Sequence, residues 1–110
     1  MAQYGVVLVT IEDEEWGQAI AAAIVEARLA ACVNLFPIQS IYRWQGEVQC
    51  DREWQLVIKT DLAQYPALAT KIQSLHPYDL PEIIALPISQ GSDTYLGWIS
   101  AQVDGTGAGA

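Results

Sequence analysis

Two extended segments of unusual length, Cys32–Trp44 and Glu47–Thr60, meet at Gln45-Gly46, a pair suited to a tight turn. Each runs to about a dozen residues or more, where five or six is usual. At ~3.3 Å per residue the hairpin is roughly 40 Å long, against a ~30 Å width for a small domain. A chain of 110 residues supports a single domain, so the hairpin must overhang it. Pro37 falls inside the first strand, where its missing N–H demands a bulge or an edge position. Trp54, Leu56 and Ile58 alternate onto one face of the second strand. Tyr42, Trp44 and Trp54 ride on the hairpin and would be costly to leave in water. A second copy of the chain is the simplest cover, which makes these three aromatics the expected oligomer interface.

The rest of the chain must form the body that this hairpin leaves. Tyr4–Thr10, YGVVLVT, is rich in β-branched residues and reads as a buried strand. Thr10 with Asp13 suggests a capping box, and Glu12–Glu15 crowd a first helical turn, where the macrodipole favours negative charge. Trp16, Ala19, Ile20, Ala23, Ile24 and Ala27 then follow the spacing of one buried stripe. A second helix is predicted over Gln64–Leu75, with Pro66 in its first turn and Tyr65, Leu68, Ile72 and Leu75 as its apolar stripe. His76-Pro77 ends it. Glu82–Ile88 is a short strand, and Ser92 caps a last helix that turns Tyr95, Leu96 and Ile99 inward. The order β-α-β-β-α-β plus a short helix is an α+β, ferredoxin-like arrangement, with both main helices on one face of an antiparallel sheet. The domain is predicted over residues 1–103, and residues 104–110, DGTGAGA, as a flexible Gly/Ala-rich tail.

Charge narrows the function. The net charge is −8, and Arg28, Arg43, Arg52, Lys59 and Lys71 stand singly along the chain. Phosphate backbones and anionic membrane surfaces both require clustered cations, so neither nucleic acid nor membrane is an expected partner. The longest apolar stretches fall well short of the ~20 residues of a membrane helix, and no signal-peptide pattern is visible. Cys32 and Cys50 form no CxxC or Cys/His cluster, so reduced thiols and a cytoplasmic setting are the expectation.

Catalytic chemistry finds little support. The chain has one histidine, His76, and no GxSxG, Walker or GxGxxG run. Glu47, Asp51 and Glu53 read as a solvated or interfacial strand face, and the Glu12–Glu15 run as a helix entrance. His76 reads first as a helix cap, its imidazole meeting the last carbonyls of the helix. Its near neighbours with ligating side chains are Tyr78, Asp79 and Glu82. The protein is expected not to be an enzyme.

HPYDLPEIIALPI at His76–Ile88 resembles the most recognisable segment of the CutA family of divalent-cation tolerance proteins. LAACVN at Leu29–Asn34, SIYRWQGEV at Ser40–Val48, LVIKT at Leu56–Thr60 and YLGW at Tyr95–Trp98 match in the same order. The resemblance implies a ferredoxin-like fold, a homotrimer built through the long hairpin, a likeness to PII signalling proteins, a cytoplasmic setting and a link to copper and other divalent metals. The positions matching the family's copper ligands are Val9, Leu75 and His76, of which only His76 can ligate. Weak copper binding through His76, and no organic cofactor, is therefore the expectation. The resemblance implies tolerance of or response to divalent metal ions without catalysis. The alternative is a PII-like module that binds a small molecule in clefts between subunits, lined by Tyr42, Trp44, Lys59, His76, Tyr78 and Glu82.

Overall fold

The computed structural model describes residues 3–103; the tail expected at 104–110 lies outside them. The elements run β1 (Tyr4–Ile11), α1 (Glu14–Glu26), β2 (Cys32–Trp44), β3 (Glu47–Asp61), α2 (Tyr65–Leu75), β4 (Ile83–Pro87) and α3 (Asp93–Gln102), with a 3-10 turn at Leu62–Gln64 leading into α2. The four strands form one antiparallel sheet in the order β2-β3-β1-β4. The fold is the α+β, ferredoxin-like one that the element order predicts.

One face of the sheet carries the core. Val7 and Val9 of β1 and Leu56 and Ile58 of β3 are fully buried against Ile20 and Ile24 of α1 and Leu68 and Ile72 of α2. The buried stripe of α1 is Gly17, Ile20, Ala21 and Ile24, rotated from the predicted one. Gly17 explains the rotation: a Cβ there would stand 3.0 Å from Ile11 and 3.2 Å from Leu35, so the bare backbone packs onto the sheet. Trp16 is pushed to the rim, where its indole N–H donates to the Leu75 carbonyl at 2.9 Å and ties α1 to the end of α2. The capping residue also differs. Asp13, not Thr10, is the N-cap, its carboxylate accepting from the Trp16 amide, while Thr10 stays in β1. No glycine ends α1. Arg28 takes the left-handed conformation (φ 62°), and the amides of Arg28 and Leu29 reach back to the Val25 and Ile24 carbonyls in a Schellman motif.

β2 is an edge strand, and its pairing with β3 runs without interruption through Pro37 opposite Trp54. The edge position alone accommodates the proline; no bulge is needed. Gln45 and Gly46 both have positive φ (52° and 81°), which gives a two-residue turn whose twist matches the strands. β1 ends at Ile11, opposite Trp54. Beyond that pair, residues 38–44 and 47–53 continue as a two-stranded ribbon, and the molecule measures 45 × 27 × 22 Å.

The opposite face of the sheet is apolar but only partly covered. Val6, Leu8 and Val57 are half-buried there, with Phe36, Ile84 and Leu86 exposed beside them. α3 covers only the end near Tyr4, whose hydroxyl lies 2.7 Å from the Ser100 hydroxyl. Ile99 and Leu96 turn inward as predicted, but Tyr95 does not: it stacks on Trp98 at 5.4 Å between ring centres, and both remain exposed.

Candidate functional site

A two-residue turn sets the register of the hairpin, and register decides which side chains share a face. Trp44 pairs with Glu47, Tyr42 with Gln49, Ser40 with Asp51 and Ile38 with Glu53. These residues face away from the core side, whereas Trp54, Arg52, Cys50 and Val48 alternate onto the core side of β3. The aromatics expected to act together are thus divided. Tyr42 and Trp44 are exposed on one face of the ribbon, and Trp54 packs half-buried against the chain's own core on the other.

The loop after α2 folds onto the base of the ribbon and encloses an open groove of about 820 Å³. Tyr42, Trp44 and Asp51 form one side, Tyr78 and Glu82 the other, and Glu53 lies at the base between them. Two tyrosine–carboxylate pairs hold the walls. Tyr42 donates its hydroxyl proton to Asp51, and Tyr78 donates to Glu53 at 2.9 Å. The bond to Asp51 pushes the Tyr42 hydroxyl up to about 12, with desolvation and the Asp51 charge adding to it. Burial raises the Tyr78 hydroxyl above its ordinary 10.0, reinforced by the bond to Glu53. Partial burial also raises the Glu82 carboxyl, with the Glu53 charge adding to it and a hydrogen bond from Gln55 opposing it.

Tyr42, Trp44, Tyr78 and Glu82 of the expected cleft set therefore meet in this groove. Lys59 does not. It stands six positions along β3 from Glu53, roughly 20 Å away at strand spacing, and donates to the Asn34 side chain across the edge of the sheet. His76 lies behind the groove wall, 8% exposed. Its backbone N–H takes the helix-capping bond to the Ile72 carbonyl, while its imidazole leaves the helix altogether. Nε2 contacts the Thr10 carbonyl at 2.8 Å, and Nδ1 accepts from the Tyr78 amide at 3.1 Å. Asp51 and Glu53, read from the sequence as a solvated or interfacial strand face, are groove residues. Counting back from a two-residue turn would have placed them beside Tyr42 and Trp44.

The residues at the family's copper positions do not fit a metal centre. Val9 is fully buried, Leu75 has no ligating atom, and both ring nitrogens of His76 already have backbone partners. Among the described residues no group of three or more His, Cys, Asp or Glu side chains is arranged to hold a metal ion. Cys32 and Cys50 are free. Cys32 pairs across from Lys59, nine positions along β3 from Cys50, so roughly 30 Å separates them and no bridge can join them within a chain. No helix among the described residues is long and apolar enough to cross a membrane.

Comparison with known proteins agrees with this geometry. The family model described as CutA1 divalent ion tolerance protein matches residues 5–102. The divalent-cation tolerance protein CutA of Thermus thermophilus is 53% identical over 95 residues, covering 86% of this chain and 92% of that protein. The chloroplastic CutA protein of Arabidopsis thaliana is 48% identical over 95 residues, but this chain spans only 52% of its length. The solved structure of the divalent cation tolerance protein Cut A1 from Thermus thermophilus superposes with a TM-score of 0.88 at 50% identity, covering 91% of this chain and 98% of that one. By the sequence match over nearly its whole described length and by the shared fold, the chain belongs to the CutA1 divalent ion tolerance protein family.

Proposed function

We propose that the protein acts without catalysis, as a cytoplasmic homotrimer that takes part in tolerance of or response to divalent metal ions. The observation that carries this reading is the bare ribbon. Ile41 and Val48 at its tip are 72% and 65% exposed, and Tyr42 and Trp44 lie open on its other face. Leaving such side chains in water forfeits about 1.5–3 kcal/mol each relative to burial. The unpaired edge of β2 and the uncovered sheet face with Ile84 and Leu86 lie on the same molecule. One occupant suits all of these surfaces, namely further copies of the chain. The metal part of the reading rests on kinship, since the relative in Thermus thermophilus is named for divalent-cation tolerance. Non-catalytic action is supported by the single imidazole, which is occupied by backbone groups and free to serve no nucleophile. The free thiols suit a reducing compartment.

A second reading is favoured by the groove itself. Its aromatic walls, Tyr42 and Trp44, with a few polar groups between them, suit a small organic ligand, as in a PII-like signalling module. A neighbouring copy would close the open side. Native mass spectrometry of protein purified without added metal tests both readings. The expected result is a three-chain species, and a retained small molecule would favour the second reading. A stable 12.0 kDa monomer at micromolar concentration would overturn the assembly.

A further inference from the structure

We infer that His76 is a positioning residue locked in its Nε2–H form, and that divalent cations bound by this protein are held without its imidazole. The two ring contacts dictate the tautomer. A backbone amide can only donate, so Nδ1 facing the Tyr78 N–H must be the unprotonated nitrogen. A backbone carbonyl can only accept, so Nε2 facing the Thr10 oxygen must carry the proton. One neutral form satisfies both.

A metal needs an unprotonated ring nitrogen. Taking Nδ1 would strip the Tyr78 amide of its partner. Taking Nε2 would move the proton to Nδ1, opposite another N–H, and break both contacts at once. The ring is also shut in, 8% exposed, with Tyr78 edge-on at 4.6 Å between ring centres. The flanking positions supply no compensating ligand, since Val9 and Leu75 are apolar.

What the imidazole does is join two parts of the fold. It fastens the end of β1, through Thr10, to the loop at Tyr78, and the Tyr78 hydroxyl carries the connection on to Glu53 of β3. The groove wall is thereby set against the base of the ribbon. Every contact lies within one chain, so the inference stands whether or not the proposed trimer does.

The chain's single histidine makes the test direct. Long-range nitrogen-15 spectra of the full labelled protein should show a neutral imidazole protonated on Nε2. Stoichiometric zinc should leave both ring nitrogens unshifted, whether the zinc binds elsewhere or does not bind. A ring-nitrogen shift at stoichiometric zinc, an Nδ1–H form or an imidazolium at neutral pH would overturn the inference. His76→Gln can still donate to Thr10 from the Nε2 position, but its amide oxygen stands one bond farther from the backbone than Nδ1 and no longer meets the Tyr78 amide. It should speed exchange of the Tyr78 amide about five- to tenfold, the ratio expected for one lost hydrogen bond, with the zinc isotherm unchanged. Loss of zinc binding in that variant, with Tyr78 still protected, would assign the imidazole to the metal instead.

Discussion

Tyr78 concentrates the energetics of the groove in one side chain. Its amide donates to His76 and its hydroxyl to Glu53, a carboxylate only 9% exposed. Tyr78→Phe removes the hydroxyl and leaves that carboxylate short of a donor, so unfolding should become easier by about 1–3 kcal/mol. A shift of the urea midpoint at constant m is the readout. The sign of the pH effect follows from the raised hydroxyl. The unfolded chain releases this proton near the ordinary 10.0, while the folded chain holds it, so stability is lost as pH rises above that value. The wild type should therefore weaken in alkali more steeply than Tyr78→Phe, with Tyr42 supplying a residual slope. Glu82 works in the carboxylate range with the same sign. Its folded carboxyl is raised, chiefly by burial, so ionising it penalises the folded state. Glu82→Gln should melt higher than the wild type at about pH 7, and the difference should vanish as pH falls below the ordinary glutamate value of about 4.3.

The hairpin shows what alternation does to a chain of aromatics. Trp54 sits at the last position where β3 still has β1 beside it, and it packs on the core. Tyr42 and Trp44 lie past that point on the opposite face. The same truncation should therefore give two different phenotypes. Trp54→Ala should cost about 3 kcal/mol or more of folding stability. Trp44→Ala should leave the folding of the isolated chain nearly unchanged and weaken association, by roughly 1–3 kcal/mol for an interface anchor, while Tyr42→Ala should weaken association and also forfeit the bond to Asp51. Chemical denaturation paired with sedimentation separates the two effects, and an association defect confined to Trp54→Ala would reverse the assignment. Strand lengths and the turn were legible beforehand, because each follows from local backbone preference, whereas Pro37 left a bulge or an edge position open until the strand order settled it. The division of the aromatics was open to the same period-2 argument, carried from the turn to the end of β1.

For the molecule as a whole, the governing conflict is between an uncovered apolar sheet face and a net charge of −8 per chain. In the proposed assembly, hydrophobic burial would draw copies together, while like charge would push them apart. Salt screens the repulsion, with a Debye length of about 8 Å at 0.15 M, and leaves the apolar gain largely intact. Association should accordingly tighten as ionic strength rises from about 0.02 to 0.3 M. Sedimentation or light scattering across that range is the check. Weakening with salt would indicate that Arg43, Arg52 and facing carboxylates, not apolar area, dominate the contact.

Sequence alone determined the order of elements, the overlong hairpin, its two-residue turn and the family, all of which depend on residues close together along the chain or on an ordered set of short matches. Tertiary structure decided what those signals cannot reach. Gly17 turned the stripe of α1 because Ile11 and Leu35 wait beneath it. Glu53 became a nearly buried groove residue because Tyr78, 25 positions away, closes over it. His76 ended as a bridge with both ring nitrogens engaged because docking of α2 brings it against a carbonyl 66 positions distant. A residue's propensity is set by its own backbone and near neighbours, but the partner of a buried polar atom is set by how whole elements pack, and that packing is a property of the folded chain.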